Sequence, residues 1–411
     1  MNTPHRIIPL FALIFLMMFA GNANAAATCV DVGQWLRPDD RTTVTHRGLM
    51  AELAKRPVVL LGEVHTNNEH HRWQLHTLAA LHALNPNMVI AFEAFPRSTQ
   101  SVLDKWVRGE LGIGAFLKQS RWYDVWRFDA NQYLPLSHFA RQHKIPMVAM
   151  NVERKLIRAV GKQGFENVPK NIREGVGKPA PAAKAYRKSL REVFEAHQKI
   201  GIGSPHKPKK HGTKAAPAPK DSVETRFDRF VQVQTTWDRA MAEALYKART
   251  TDSAPLVVGI VGMGHLEFGH GISYQLTDLG LKDAAVLLPW GSKRTCGDLK
   301  SAEGVAIAEV VFGIKPVQEL AQKQKPKLGV MISTVKQKVL INRVLKDSIA
   351  EASGIIDGDR VLEAAGVKIH DTATLVSIIQ RQAPGTWLPL LIDRKGEKSV
   401  IIAKFPAKSE N

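Results

Sequence analysis

Short apolar runs recur along the chain, separated by stretches with helical spacing. Val58-Val59-Leu60-Leu61 is followed by Gly62 and reads as a buried strand ending at a loop. Met88 to Phe92, Ile145 to Met150, Pro255 to Val261 and Ala284 to Leu288 repeat that signal. Between the first two, Trp73, Leu75, Leu78 and Leu81 follow a helical period, with Asn67 or Asn68 as candidate cap. Ser98 to Val107, Gln132 to His143 and Thr225 to Ala248 read as further helices. Strands alternating with helices predict an α/β domain, with a central, mainly parallel sheet and helices flanking both faces. From Lys327 onward the pattern changes to short strands broken by turns at Ser353 to Asp359, Pro384-Gly385 and Gly396, which predicts a small β-rich domain.

Charge adds a third segment. The 411 residues carry 57 Lys and Arg against 38 Asp and Glu, a formal net charge of +19. Such an excess points to a polyanion, an anionic surface or an anionic ligand. It is concentrated in residues 161–220, with 14 basic against 4 acidic side chains. That segment reads as a helical insertion. It has a helix over Tyr186 to Lys199, with Leu190, Val193 and Phe194 on one side, then a solvated Lys- and Pro-rich loop over 205–220. Proline interrupts its basic residues and no aromatics interleave them, so no nucleic-acid partner is expected.

Arg6, the uncharged apolar run Ile7 to Ala20 and Ala23-Asn24-Ala25 read as a signal peptide over residues 1–25, which predicts export to the periplasm. Two cysteines exclude a disulfide-stapled scaffold and a four-cysteine zinc site. In an oxidising compartment Cys29 and Cys296 are free to pair and tie the ends of the first domain together, although spacing by itself leaves this open. The expected organisation is the signal peptide, an α/β domain over 26–300, a linker over 301–320 and the β-rich domain over 321–407.

The chemistry gathers at predicted strand ends. Gly62-Glu63-Val64-His65 follows the first strand and Gly262-Met263-Gly264-His265 the fourth, repeating a Gly-x-x-His pattern. Glu93 follows the second strand; Asn151 and Glu153 follow the third. Ligands of open α/β sheets bind off the carboxyl ends of the strands, so two histidines and two or three acids there suit a metal, a haem or a substrate. Acids that only cap helix N-termini are the structural alternative. His70 and His71 are adjacent and point apart. One is expected to satisfy the helix end and the other to face solvent. Trp73, Trp106, Trp122 and Trp126 read mainly as core, with walls for a planar cofactor as the alternative.

The segments VVLLGEVHTNNEHHRWQ, VIAFEAFPR, YLPLSHFARQHKIPMVAMNVER, RFDRFVQVQTTWDRAMAEAL and VVGIVGMGHLEFGHGI occur in the order seen in the ChaN-like haem-binding family. The chain resembles that family over roughly residues 35–295. The resemblance implies an α/β core with a helical subdomain, and haem binding linked to iron acquisition. It also implies a periplasmic or outer-membrane-associated location, haem held between subunits of a homodimer, and a tyrosine iron ligand. Glu63, His65, Glu93 and His265 match the family motifs. Tyr186 opens the helix where the ligand is expected, with Arg187, Lys188 and Arg191 beside it to neutralise the haem propionates. The stretch SIAEASGIIDGDRVLEAAGVKI resembles bacterial PDZ domains. That implies a groove in which a partner peptide adds a strand, with its C-terminal carboxylate held by amides near Leu328, Gly329 and Val330. Binding, rather than catalysis, is the expected role. The second reading is a metal-dependent hydrolase or peptidase, with Glu63, His65 and His265 on a divalent ion and Glu93 as base.

Overall fold

In the computed structural model the five apolar runs become five adjacent strands of one eight-stranded sheet. The structure describes residues 29–199, 222–291, 294–315, 326–335 and 337–407. The signal peptide read at 1–25 and the Lys- and Pro-rich loop read at 205–220 lie outside the described residues. The strands are β1 (Trp35–Leu36), β2 (Thr43–Val44), β3 (Val58–Glu63), β4 (Met88–Pro96), β5 (Met147–Asn151), β6 (Leu256–Gly262), β7 (Ala284–Trp290) and β8 (Val310–Gly313). Their order is β2-β1-β8-β7-β3-β6-β4-β5. All pairings from β8 to β5 are parallel; at the β8 edge β1 runs antiparallel to both β8 and β2.

Every residue of β3 and β6 is buried, as a central parallel strand covered on both faces requires. Successive side chains of β3 feed opposite cores. Val59 and Leu61 join Phe92, Leu78 and Trp106 on one face; Val58 and Leu60 join Met241, Leu245 and Leu276 on the other. The first face is covered by helices α1 (His46–Leu53), α2 (Asn68–Leu84), α3 (Gln100–Val107), α4 (Ile113–Gln119), α5 (Trp122–Val125) and α6 (Ala130–Gln142). Asn67 caps α2, its side chain accepting from the Glu69 amide.

The described part of the insertion contains the expected helix. Helices α7 (Arg154–Gln163) and α8 (Lys184–Lys199) pack on the long α9 (Val223–Arg249), and α10 (Ile272–Asp278) completes the second face. The buried stripe of α8 is Tyr186, Leu190 and Phe194, four residues apart, while Val193 is exposed. The stripe expected at Leu190, Val193 and Phe194 is thus rotated toward Tyr186.

Two boundaries differ from the sequence reading. Strand β4 continues through Pro96, so Glu93 lies within the strand and not after it. The register against β5 shifts between Phe92 and Pro96 at that point. Residues 310–313, read as linker, form β8 and are paired on both sides, by β7 and β1.

The C-terminal unit is an antiparallel sheet of β9 (Val330–Val335), β10 (Lys338–Val344), β11 (Arg360–Ala364), β12 (Val367–Lys368), β13 (Trp387–Arg394) and β14 (Glu397–Lys404). Its order is β14-β13-β11-β10-β9, with β12 on β11. Helices α11 (Ile349–Ala352) and α12 (Thr372–Gln380) flank it. The Gly358-Asp359 pair of the motif has a structural explanation. Buried Asp359 accepts a two-pronged hydrogen bond from Arg394, at 2.8 and 2.9 Å, and a third from the Ile356 amide, which fastens the turn to β13.

Cys29 and Cys296 are joined in a disulfide with Cα atoms 5.4 Å apart, closing a loop of sequence separation 267. A crosslink over so long a loop restricts the unfolded chain strongly. Replacing both cysteines by serine is expected to lower stability by about 2–5 kcal/mol, read as a lower urea midpoint. An unchanged midpoint would show that the crosslink adds nothing.

Candidate functional site

The carboxyl ends of the adjacent strands β3 and β6 bring together three buried acids. Glu63 ends β3, Glu93 comes from β4 and Asp238 from the middle of α9; none is more than 8% exposed. An uncompensated carboxylate in such a place costs several kcal/mol. Each has partners.

Glu63 receives His65 Nδ1 at 2.8 Å on Oε1, and the Tyr133 hydroxyl donates to the same oxygen. His71 Nδ1 stands 3.1 Å from Oε2. Burial raises the Glu63 pKa, but the hydrogen bonds from His65 and His71 prevail and bring it down to about 2. Burial likewise pushes His65 and His71 toward the neutral form, and the Glu63 carboxylate outweighs it, so both are raised. His71 Nε2 also lies 3.2 Å from the His65 carbonyl, which fixes the ring as a donor on both sides.

Asp238, fully buried, forms the second pair. It accepts from His265 Nδ1 at 2.6 Å and from the Tyr186 hydroxyl at 2.8 Å. Burial favours neutral His265, yet the Asp238 charge overcomes it and raises the pKa to about 9. His265 is therefore an imidazolium at neutral pH, its Nε2 3.8 Å from Glu93 Oε1. Glu93 Oε2 accepts the Gly262 amide at 2.7 Å. Only glycine fits there, because a Cβ would stand 2.8 Å from His65 Cε1. Gly271 has the same constraint. A Cβ would lie 2.3 Å from the His265 carbonyl oxygen.

The mouth of the site is aromatic. The His65 ring lies 4.6 Å from Trp126 and 5.1 Å from Phe128, centroid to centroid, and its side chain remains 28% exposed.

The structure thus brings together Glu63, His65, Glu93 and His265. Tyr186 joins them through Asp238, in a role other than the expected one. Its hydroxyl is buried and already donates to a carboxylate, and burial together with Asp238 raises its pKa well above that of a free phenol. It is not an open iron ligand. Arg187 and Arg191 are engaged by Asp228 and Glu224 of α9, at 2.6 Å each, and lie over the Phe227 ring, so they are not free cations. Glu153 stays outside the site, paired with Arg121 and Ser98. The Asn151 side chain donates to the Glu93 carbonyl.

His70 and His71 are both buried, against the expectation of one at the surface. The Val64 amide donates to His70 Nδ1, and burial lowers its pKa to about 4, so it is the neutral partner that closes the strand-to-helix turn. Trp73, Trp106, Trp122 and Trp126 are all core residues.

Sequence reasoning missed Asp238 and Tyr133. Asp238 falls on the buried stripe of α9 with Val231, Thr235, Met241 and Leu245. An acid on an apolar stripe is the signal that marks it. Among the described residues, no group of three or more His, Cys, Asp or Glu side chains is arranged to hold a metal ion.

In the PDZ-like unit Leu328 is core, and Gly329 has φ +81 with no room for a Cβ, which would stand 2.3 Å from Ser348 Cβ. Val330 begins β9, the edge strand of its sheet. Thr372 of α12 is tied to β9 by a 3.0 Å bond from its amide to Thr334 Oγ1.

Asp238→Asn removes the charge that keeps His265 protonated. The His265 pKa is expected to fall from about 9 to below 6.5, measured by NMR titration of the imidazole. The linked stability has a definite sign. The folded pKa is raised, so the contribution is complete below pH 6.5 and is lost as pH rises toward about 9. The variant is expected to lose roughly 3–5 kcal/mol at neutral pH, and with it that decline.

A family model described as "Haem-binding uptake, Tiki superfamily, ChaN" matches residues 49–276, and a PDZ model matches residues 326–404. No curated protein matches the chain. Among solved structures, one described as "Cofacial heme binding to ChaN of Campylobacter jejuni" is similar at 18% identity with TM-score 0.51, covering 68% of this chain and 95% of that one. The PDZ domain of HtrA3 bound to a phage-derived ligand is 19% identical with TM-score 0.18, covering 19% of this chain and 82% of that one. The first likeness supports the fold, and the match over more than half of the sequence places this chain in the ChaN haem-binding uptake family of the Tiki superfamily, with a PDZ domain at its C-terminal end.

Proposed function

We propose that this protein is an exported haem-binding protein that acts in haem or iron uptake and docks a partner peptide through its PDZ domain. The observation that carries the reading is His65. Its Nδ1 is anchored by a buried carboxylate and its ring is partly exposed between Trp126 and Phe128. Iron-ligating histidines hold the other ring nitrogen in this way, and flat aromatic walls suit a porphyrin edge. The residues present thus fit haem through imidazole, not phenol. Both tyrosines at the site, Tyr133 and Tyr186, already donate to carboxylates.

Haem bound here would supply an iron centre and two anionic propionates. His65 would hold the iron, Glu63 would fix the tautomer of His65, and the His265 imidazolium would offer a positive charge. The site for export is the segment 1–25, and the disulfide suits an oxidising compartment. Cofacial heme binding is described for the Campylobacter jejuni protein, and haem held between two copies of this chain is part of the proposal.

A metal-dependent hydrolase remains the second reading. It is favoured by the carboxylate anchoring of His65, which leaves its Nε2 available. Hemin titration of the mature protein separates the two. A saturable Soret shift is expected, weakened at least tenfold by His65→Ala and retained in Tyr186→Phe. No shift, with stoichiometric zinc or manganese in the purified protein, would replace haem binding by the hydrolase reading.

For the PDZ domain, the edge of β9 beside α12 receives the peptide as an added strand. A peptide ending in a free apolar carboxylate is expected to bind in fluorescence polarisation and to lose binding on C-terminal amidation. Gly329→Ala forces a Cβ against Ser348 and is expected to weaken the peptide at least tenfold while hemin binding is unchanged.

A further inference from the structure

The loop that forms the aromatic mouth of the His65 site also carries a cation. Trp126 and Phe128 place their rings 4.6 and 5.1 Å from the His65 ring, while Arg127 between them is exposed. Its φ is +69, a left-handed conformation that long side chains rarely adopt. Two more arginines stand beside it. Strands β3, β6, β4 and β5 are parallel neighbours, so β5 ends at the same edge of the sheet as the site, and α7 starts there. Arg154, the first residue of α7, reaches back to the mouth loop and donates to the Val125 carbonyl at 2.7 Å. Arg158 follows four residues on, which sets it on the same face of α7.

These three cations crowd one another and none is paired with an acid among the described residues. Arg127 Nε donates to the Asp124 carbonyl and Arg154 to that of Val125, both neutral partners. Partial burial, and then the charges of Arg127 and Arg158, lower the Arg154 pKa. Arginine keeps its proton regardless, so the repulsion stays. The acids of the same segments are engaged elsewhere. Glu153 is held by Arg121 through two 3.0 Å bonds, Asp129 caps α6 through the Asn131 amide, and Asp124 bears on Arg121. The contrast with Arg187 and Arg191 is direct, since those two are neutralised by acids of α9.

We infer that Arg127, Arg154 and Arg158 bind the propionate edge of haem and so fix which way the porphyrin faces over His65. The inference rests on haem binding at His65. A porphyrin joins a flat apolar body to two carboxylates on one edge. The mouth offers the matching order, with aromatic rings against His65 and unpaired guanidinium groups beside them. Guanidinium forks suit carboxylates, and a bound dianion relieves the repulsion among three like charges. The residue at 127 fits this role. Asparagine adopts a positive φ more readily, so arginine there favours charge over backbone ease.

The test titrates the full mature chain with hemin and with hemin dimethyl ester, whose propionates carry no charge, following the Soret band. The wild-type chain is expected to bind hemin about tenfold more tightly than the ester at low salt, with the gap shrinking at high salt. Arg127→Asn and Arg158→Gln are each expected to weaken hemin about threefold and to leave the ester unchanged, as suits exposed ion pairs. Asparagine tolerates the backbone at 127, so the urea midpoint of Arg127→Asn is expected to be no lower. Arg158→Gln removes an exposed side chain and decides the matter by itself if Arg127→Asn proves unstable. Equal affinity of the wild-type chain for hemin and ester, or a gap undiminished in the double variant, overturns the propionate site while haem binding stands. Failure of the haem reading looks different. No Soret shift with either compound, or shifts untouched by His65→Ala, takes haem away from His65 and overturns this inference with it.

Discussion

The site rests on one constraint, the placing of three carboxylates in a volume with almost no access to water. Glu63, Glu93 and Asp238 come from β3, β4 and α9, and each must be compensated where it stands. The compensation dictates much of the surrounding sequence. Three histidines face them, His65 and His71 on Glu63 and His265 on Asp238, a glycine amide serves Glu93, and two tyrosines add hydroxyl donors from α6 and α8. Gly262 and Gly271 lack side chains because the imidazoles and the chain itself occupy the space a Cβ would need.

The two Gly-x-x-His motifs are therefore one structural device used twice. Glycine lets the strand end press against its neighbour, and the histidine three positions on folds back onto a buried acid. The acids differ in origin. For His65 it is Glu63, two residues earlier; for His265 it is Asp238, 27 residues earlier on another element. Their surroundings differ as well. His65 opens to an aromatic mouth, whereas His265 is held as an imidazolium between Asp238 and Glu93. A ring that is exposed and anchored suits ligation, and one that is enclosed and charged suits electrostatic support.

How far the sequence discloses this depends on the range of the interaction involved. The strands and helices are legible because hydrophobic period is a local property, and the strand-end placing of Glu63, His65 and His265 follows from it. The continuation of β4 through Pro96 is not, because the pairing that sustains it is with Asn151 of β5, far along the chain. The same holds for the strand at 310–313, whose partners are β7 and β1. Tyr186 shows the limit most clearly. A tyrosine beside Arg187 and Arg191 reads as a cofactor cradle, yet α9 supplies Asp238, Asp228 and Glu224 to all three. Only the packing of α8 on α9 discloses that these groups are already taken.

The positive charge has to be read in the same way. In the described part of the basic insertion, Arg187 and Arg191 serve as braces between α8 and α9, clamped over Phe227 and paired with acids. Net charge therefore overstates what is free to meet an anionic ligand. The positive charge at the strand ends is made locally, by burying a histidine against an acid. An imidazolium produced in that way depends on its carboxylate, so His265 protonation and the packing of α9 are coupled through a single residue, Asp238.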